Sequence, residues 1–335
     1  MKILVDIVHM ADVNFYKKAL QILDNKGHEI IISVMGRGNL PEVVAKELGN
    51  AIIIGAHSKK NFLVKSMVNI KRITILRRLI KKTKPDLVTS FSYYPAAAAI
   101  GLNVKSVIFH DDAEYKKQFL LCRKFAGSLV IPDFIRENGR NIIKHHFYKE
   151  WAYLNPKYFK ANEKVLKYYG LEKNKYVIIR DIAKISLNYK KSNDINYAKI
   201  IDSIKNKGLK IVVSLEDKSR KDMFKGGILL KEPVQDIYSI VYYSLALISS
   251  GDTMAREAAL LGVPSFYASQ RKMAVNKELI SKGFISPLND EISLGKFVRV
   301  LSRKQKNKLS RKLKNYVSSI EDTTKIIVDE IEKWK

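Results

Sequence analysis

Short runs of β-branched and other apolar residues, separated by stretches of helical character, constrain this chain more than any other feature. In the first half they read KILVDIV, HEIIISV, AIIIG, DLVTSF, KSVIFH and SLVIP; in the second, YVIIR, LKIVVSL, YSLALIS and PSFYA. Strands that alternate with helices build βαβ units, and βαβ units build parallel sheets. A chain of 335 residues is too long for one core and suits two such α/β domains. The rhythm breaks over residues 155–175, NPKYFKANEKVLKYYGLEKNK, where Pro156, Gly170 and a Lys-rich composition intervene. The expected boundary therefore lies near residue 160, with a Rossmann-like N-terminal domain over 1–160 and a Rossmann-like C-terminal domain over 161–335. The last helix is a candidate to pack back on the first domain. No internal repeat of about 20–50 residues is present, so the halves are alike in architecture and not duplicated in sequence.

Composition narrows the classes of function. The chain carries 61 Lys and Arg against 33 Asp and Glu, a formal charge of +28. A surplus of that size attracts phosphates, whether of a nucleotide, a nucleic acid or an anionic lipid surface. Helix-turn-helix, zinc-finger and RNA-binding signatures are missing, and charge alone supports only nonspecific binding, so no specific nucleic-acid partner is expected. Cys122 is the single cysteine, which excludes an intrachain disulfide and makes a cytoplasmic protein the simple reading. No apolar run approaches the roughly 18 residues of a membrane span, so membrane contact is expected to be peripheral at most. The six histidines are scattered, and the adjacent pair His145 and His146 points apart on any regular element. A metal site resting on Cys and His is therefore not expected; Asp112-Ala113-Glu114 could hold a divalent ion, but a site without metal is the preferred reading.

The turns after the strands decide which ligands are plausible. After the first strand the chain reads VHMADVNFYKKAL, without the Gly-x-Gly-x-x-Gly that lets a backbone close on a dinucleotide, and no Gly-Lys-Ser/Thr loop occurs anywhere. Gly36-Arg37-Gly38 reads as a turn. The informative segment is SSGDTMAREAALLGVPSF, residues 249–266, where a strand ends at a small-residue turn and a helix opens at once. In a parallel sheet, ligands bind beyond the carboxyl ends of strands, and the free N–H groups of a helix start suit an anion. Ser250, Gly251, Asp252, Thr253 and Met254 would then receive a diphosphate. Glu257, one turn further on the same face, would accept the two ribose hydroxyls. The same residues also suit a plain helix cap, Asp252 or Thr253 capping and Glu257 a first-turn acid.

Group transfer needs a base as well. Asp12, after the first strand, and the cluster His110, Asp111, Asp112 and Glu114, after the fifth, lie at strand ends where gathered carboxylates raise one another's pKa. Asp111 or Asp112 equally suits the cap of a helix beginning at Ala113. Arg180, ending YVIIR, is placed to meet phosphate, and His9 reads as a turn residue. Residues 59–84, KKNFLVKSMVNIKRITILRRLIKKTK, hold ten Lys or Arg and no acid. Leu63, Met67, Ile70, Ile73, Leu76 and Ile80 recur at helical spacing, predicting one apolar face against the sheet and one basic face outward. A second basic helix, SRKQKNKLSRKLKN, follows at 302–315.

The stretch from Gly251 to Pro264, GDTMAREAALLGVP, resembles the signature of domain-of-unknown-function family 354, which is largely archaeal. Val5-Asp6-Ile7 with Phe15, Asp112-Ala113-Glu114, and Lys149-Glu150-Trp151-Ala152-Tyr153-Leu154 with Pro156 and Phe159 agree with it in order. That family is similar to GT-B glycosyltransferases, MurG-like transferases among them, and to nucleotide-sugar 2-epimerases. The resemblance implies a GT-B-like α/β fold, two Rossmann-like domains whose parallel sheets face a central cleft. It implies a nucleotide-diphosphate sugar as donor, no required cofactor, and Glu257 as ribose ligand. Departures are marked: Asp252 stands where the family has a second glycine, and Asp12 and Asn14 stand where it has histidines. Gln270 and Asn276 are too far apart to copy the Gln-x-x-Asn pair that holds a donor sugar in MurG-like proteins, though Gln270 remains a candidate for that sugar. A polyprenyl-phosphate-linked or other anionic acceptor, met at the inner face of an anionic membrane, accounts for the charge. An epimerase acting on a free nucleotide sugar and a noncatalytic anion-binding protein are the alternatives.

Overall fold

The computed structural model describes residues 1–56, 62–182, 197–231 and 234–335. The chain divides into two compact units, Met1–Tyr158 with Ile320–Lys335, and Phe159–Ser319. The first holds strands β1 (Lys2–Ile7), β2 (Glu29–Gly36), β3 (Ala51–Ala56), β4 (Leu87–Ser90), β5 (Lys105–Phe109), β6 (Ser128–Pro132) and β7 (Ile142–His145). Between them run helices α1 (Met10–Asn25), α2 (Leu40–Leu48), α3 (Phe62–Thr83), α4 (Tyr94–Ala99) and α5 (Lys116–Phe125), with α6 (Trp151–Leu154) following. The second unit opens on α7 (Lys164–Tyr168) and carries β8 (Tyr176–Asp181), α8 (Tyr197–Lys205), β9 (Lys210–Leu215), β10 (Ile228–Leu229), α9 (Ile237–Tyr243) and β11 (Ala246–Ser249). It continues with α10 (Asp252–Leu260), β12 (Ser265–Tyr267), α11 (Ala274–Ser281), β13 (Ile285–Pro287), α12 (Glu291–Val300) and α13 (Arg303–Val317), before α14 (Thr323–Glu332) joins the first unit.

Every strand pair in both sheets is parallel, and the second order repeats the first six places of the first: β3-β2-β1-β4-β5-β6-β7 and β10-β9-β8-β11-β12-β13. The order reverses between β1 and β4 in one sheet and between β8 and β11 in the other. At such a switch point the loops part and leave room beyond the carboxyl ends of the strands. Central strands such as β4, β6 and β11 are buried along their whole length, which is why they read as unbroken apolar runs. Three strands that the sequence reading passes over, β7, β10 and β13, are short and lie at sheet edges, where the burial that produces a long apolar run is absent.

The first core gathers Ile3, Val5, Ile7, Phe15, Phe109 and Val130 with Ile326, Ile327, Val328 and Ile331 of α14. His145 at the end of β7 bonds Glu321 (3.1 Å) and Glu330 (2.9 Å) of the returning segment. The Glu330 hydrogen bond, outweighing burial, raises the His145 pKa. The second core forms from Val177, Ile179, Val213, Ile248 and Phe266 between α8 and α12.

One helix departs from its expected face. Lys59 and Lys60 lie outside the described residues. On α3, Leu76 and Ile80 are buried, whereas Met67 and Ile70 are 70% and 64% exposed. The cause is Arg72, which turns inward with its guanidinium 2.5 Å from Asp6 on β1 and bonded to the Ile54 carbonyl. Burying Arg72 sets the inward arc, and at about 100° per residue that arc excludes Met67 and Ile70.

Candidate functional site

In the first unit, the residues that follow β1, β4 and β5 converge. His9 caps α1, its ring accepting the Ala11 amide at 3.3 Å, and Asp12 closes a capping box by accepting the His9 amide at 2.9 Å and that of Val8 at 3.2 Å through Oδ2. The other oxygen of Asp12 accepts Lys149 Nζ at 2.7 Å, and that ammonium sits 3.6 Å above the centre of the Phe91 ring. Asp12 is thus a buried carboxylate holding a nearly buried lysine in place by an ion pair and a cation–π contact.

His110 follows β5 and is buried, its Nδ1 3.4 Å from the Phe91 carbonyl. Burial lowers its pKa against the pull of Asp111 and Asp112, so the ring is neutral near pH 7. With Nδ1 donating to Phe91, Nε2 keeps its lone pair, and among the described residues nothing bonds it. Asp112 is half-buried and accepts the Tyr115 amide at 3.2 Å, while Glu114 is exposed. No helix starts at Ala113: residues 113–115 form a turn, and α5 begins at Lys116.

In the second unit, Ser249 and Ser250 build the turn before α10. Ser249 Oγ accepts the Gly251 amide at 3.0 Å and donates to the Gly251 carbonyl at 2.8 Å; Ser250 Oγ accepts the Ile182 amide at 2.9 Å. Gly251 is required by contact, since a Cβ there would lie 2.9 Å from Ile182 Cγ2. Asp252, first residue of the helix, is buried. Its Oδ1 accepts the Tyr267 hydroxyl and, at 2.8 Å, the Asn276 amide, while Oδ2 pairs with Arg271 at 2.7 Å. The amides of Thr253 and Met254 have no side-chain acceptor among the described residues. Glu257 is buried one turn on, and Ala255, Ala258 and Ala259 let α10 lie close on β11 and β12.

Arg180, the penultimate residue of β8, is half-buried and bonded to Ser214 of the neighbouring β9 (2.7 Å) and to Glu216 just after it (2.5 Å). Gln270 follows β12 and is exposed. The structure therefore brings Ser250, Gly251, Asp252, Thr253, Met254 and Glu257 together, with Arg180 at the adjacent strand end, and groups Asp12 with Lys149 and His110 with Asp112. Sequence reasoning missed Lys149, Tyr267 and Arg271. Lys149 lies 137 residues from its partner Asp12, and no local spacing pairs them. An open hollow lined by Leu120, Arg123, Lys124, Gly139, Arg140 and Asn141 lies at the amino ends of β6 and β7, the wrong end of the sheet for these groups. No helix among the described residues is long and apolar enough to cross a membrane.

Two parallel sheets, the second repeating the order of the first without its seventh strand and each with a switch point, define a two-Rossmann α/β protein of the GT-B class. The chain belongs to the family described as "Protein of unknown function (DUF354)", whose model matches residues 1–334. An uncharacterized protein of Methanocaldococcus jannaschii is 26% identical over 303 residues, covering 85% of this chain and 87% of its own. The fold is shared with the UDP-GlcNAc 2-epimerase of the same organism, in complex with UDP-GlcNAc and UDP, at a TM-score of 0.74 and 14% identity over 100% of both chains. The Neisseria meningitidis UDP-GlcNAc 2-epimerase bound to UDP-GlcNAc gives 0.73 and 14%, covering 99% of this chain and 100% of its own. The glycosyltransferase VinC in complex with dTDP gives 0.67 and 9%, covering 100% and 99%.

Proposed function

We propose that this chain is a glycosyltransferase moving a sugar from a nucleotide-diphosphate donor to a lipid-linked or other phosphate-bearing acceptor at the inner membrane surface. The observation that carries the reading is the start of α10: a helix opening at the carboxyl end of β11, beside the switch point, with the amides of Thr253 and Met254 without side-chain acceptors among the described residues. Those amides and the helix dipole would neutralise the leaving diphosphate, so no cofactor is needed for that step. Glu257 would hold the ribose, Ser250, Gly251 and Asp252 would shape the phosphate turn, and Arg180 and Gln270 would border it.

In the first unit Asp112 and Glu114 would serve as the base that takes the acceptor proton. Asp12 would act through Lys149, whose buried ammonium suits an anionic acceptor. His110 adds a neutral ring to the same group, with an Nε2 lone pair that nothing among the described residues uses. The whole-length likeness to UDP-GlcNAc 2-epimerases supports a second reading, epimerisation of a free nucleotide sugar, which needs no acceptor.

Incubating the protein with labelled UDP-sugars separates the two. Transfer of label only when a polyprenyl phosphate is supplied is the expected result, and an altered sugar without any acceptor favours the epimerase. Calorimetry against uridine, guanosine and thymidine diphosphates tests the shared premise; no heat with any of them would leave a noncatalytic protein.

A further inference from the structure

Three donors from three separate places in the second unit converge on one carboxylate. Tyr267 comes from the end of β12, Arg271 from the loop after it and Asn276 from α11, and together they fill both oxygens of Asp252. A guanidinium and two neutral donors around one oxyanion is the arrangement a phosphate oxygen takes in an anion site. Here it surrounds a side chain at the first position of α10, one residue before the amides of Thr253 and Met254. Asn276 brings a second polar atom to the same place. Its Nδ2 is fixed on the carboxylate, its side chain is 1% exposed, and its Oδ1 has no partner among the described residues. A buried acceptor without a donor suits a ligand hydroxyl.

We propose that Asp252 is a specificity-determining residue that competes with the donor's phosphates for Arg271, so that the α10 site is occupied in part by the protein's own anion. The inference rests on the nucleotide reading of that site and deepens it. With Arg271 paired to Asp252, a phosphate reaching the Thr253 and Met254 amides gains no cation from it. With Arg271 drawn to the phosphate, Asp252 keeps its charge beside a second anion and loses its pairing with that guanidinium, while Tyr267 and Asn276 stay on Oδ1. Either arrangement costs the ligand affinity, and the cost grows with ligand charge, so a diphosphate is penalised more than a monophosphate. Replacing the carboxylate by an amide of the same size removes the charge and ends the ion pair that ties Arg271 to Asp252.

Calorimetric titration of the full chain with UDP and with UMP tests this, in the wild type, Asp252→Asn and Asp252→Asn/Arg271→Met, with circular dichroism to establish that each is folded. Asp252→Asn is expected to tighten UDP by about tenfold or more and UMP by less. The double variant is expected to lose that gain, because the released cation is gone. Unchanged or weaker UDP binding in folded Asp252→Asn overturns the inference, as does a gain that survives in the double variant. Absence of binding by either nucleotide in all three proteins overturns the nucleotide reading itself, a result distinct from binding without the predicted preference.

Discussion

At the residue scale the chain spends buried charge in pairs whose partners lie far apart in sequence. Asp6 and Arg72 are both fully buried and 66 residues apart; Ser33 donates to the same carboxylate oxygen at 2.7 Å. Such a pair contributes little net stability compared with apolar residues of the same shape, but breaking one half strands a charge. Arg72→Met is therefore expected to destabilise the first unit by about 3–5 kcal/mol, whereas Arg72→Met combined with Asp6→Leu should recover most of the loss. Denaturant unfolding of both variants checks it; equal losses would show that the pair matters through shape and not charge. The same separation explains why the candidate site was only half legible. Gly251, Thr253 and Glu257 are spaced by the helix itself, so the sequence displays them. That Asp252 meets Arg271 and Asn276, or Asp12 meets Lys149, depends on how neighbouring crossovers return to the sheet, which no local spacing encodes.

At the element scale, strands were legible where burial is complete and illegible where it is not. The runs KSVIFH and SLVIP map onto β5 and β6 because both faces of those strands are covered, while the edge strand β7, with half-buried isoleucines and an exposed lysine, leaves no such run. Helix α3 was legible as a helix but not in its orientation, since the apolar period passes over the arginine that fixes the inward side. The consequence is an outward arc of Met67, Ile70, Lys71, Arg78, Lys81 and Lys82. Two apolar side chains beside four cations is the composition of a helix that rests on a lipid interface, where each cation gains about 1 kcal/mol near an anionic surface. Sedimentation with vesicles containing phosphatidylglycerol should retain the protein at low salt and release it as salt rises. Changing Lys71, Arg78, Lys81 and Lys82 together to Gln should lower retention at least about tenfold, and retention unaffected by that change would remove α3 from the proposed membrane contact.

At the scale of the whole molecule, the two-sheet architecture followed from the strand rhythm, while the return of the last helix to the first unit stood only as a candidate. Length and the break in rhythm near residue 160 mark a change of unit without showing that residues 320–335 belong to the first one. The reason is that an amphipathic terminal helix carries the same pattern whichever sheet it covers. Its destination is written in the side chains it buries: Ile326, Ile327, Val328 and Ile331 share a core with Ile3, Val5 and Phe15, and α14 packs on α1 and α6. Four such side chains at about 1.5–3 kcal/mol each supply about 6–12 kcal/mol, a large share of the roughly 5–15 kcal/mol by which a domain is stable. His145, Glu321 and Glu330 add a charged clasp to that contact. Deleting residues 320–335 is therefore expected to unfold the first unit while the second, whose core includes none of them, stays folded. Limited proteolysis should then cut rapidly within residues 1–158 and leave a fragment covering much of 159–319. A truncated chain resisting cleavage throughout the first unit would show that the β1–β7 core closes without α14.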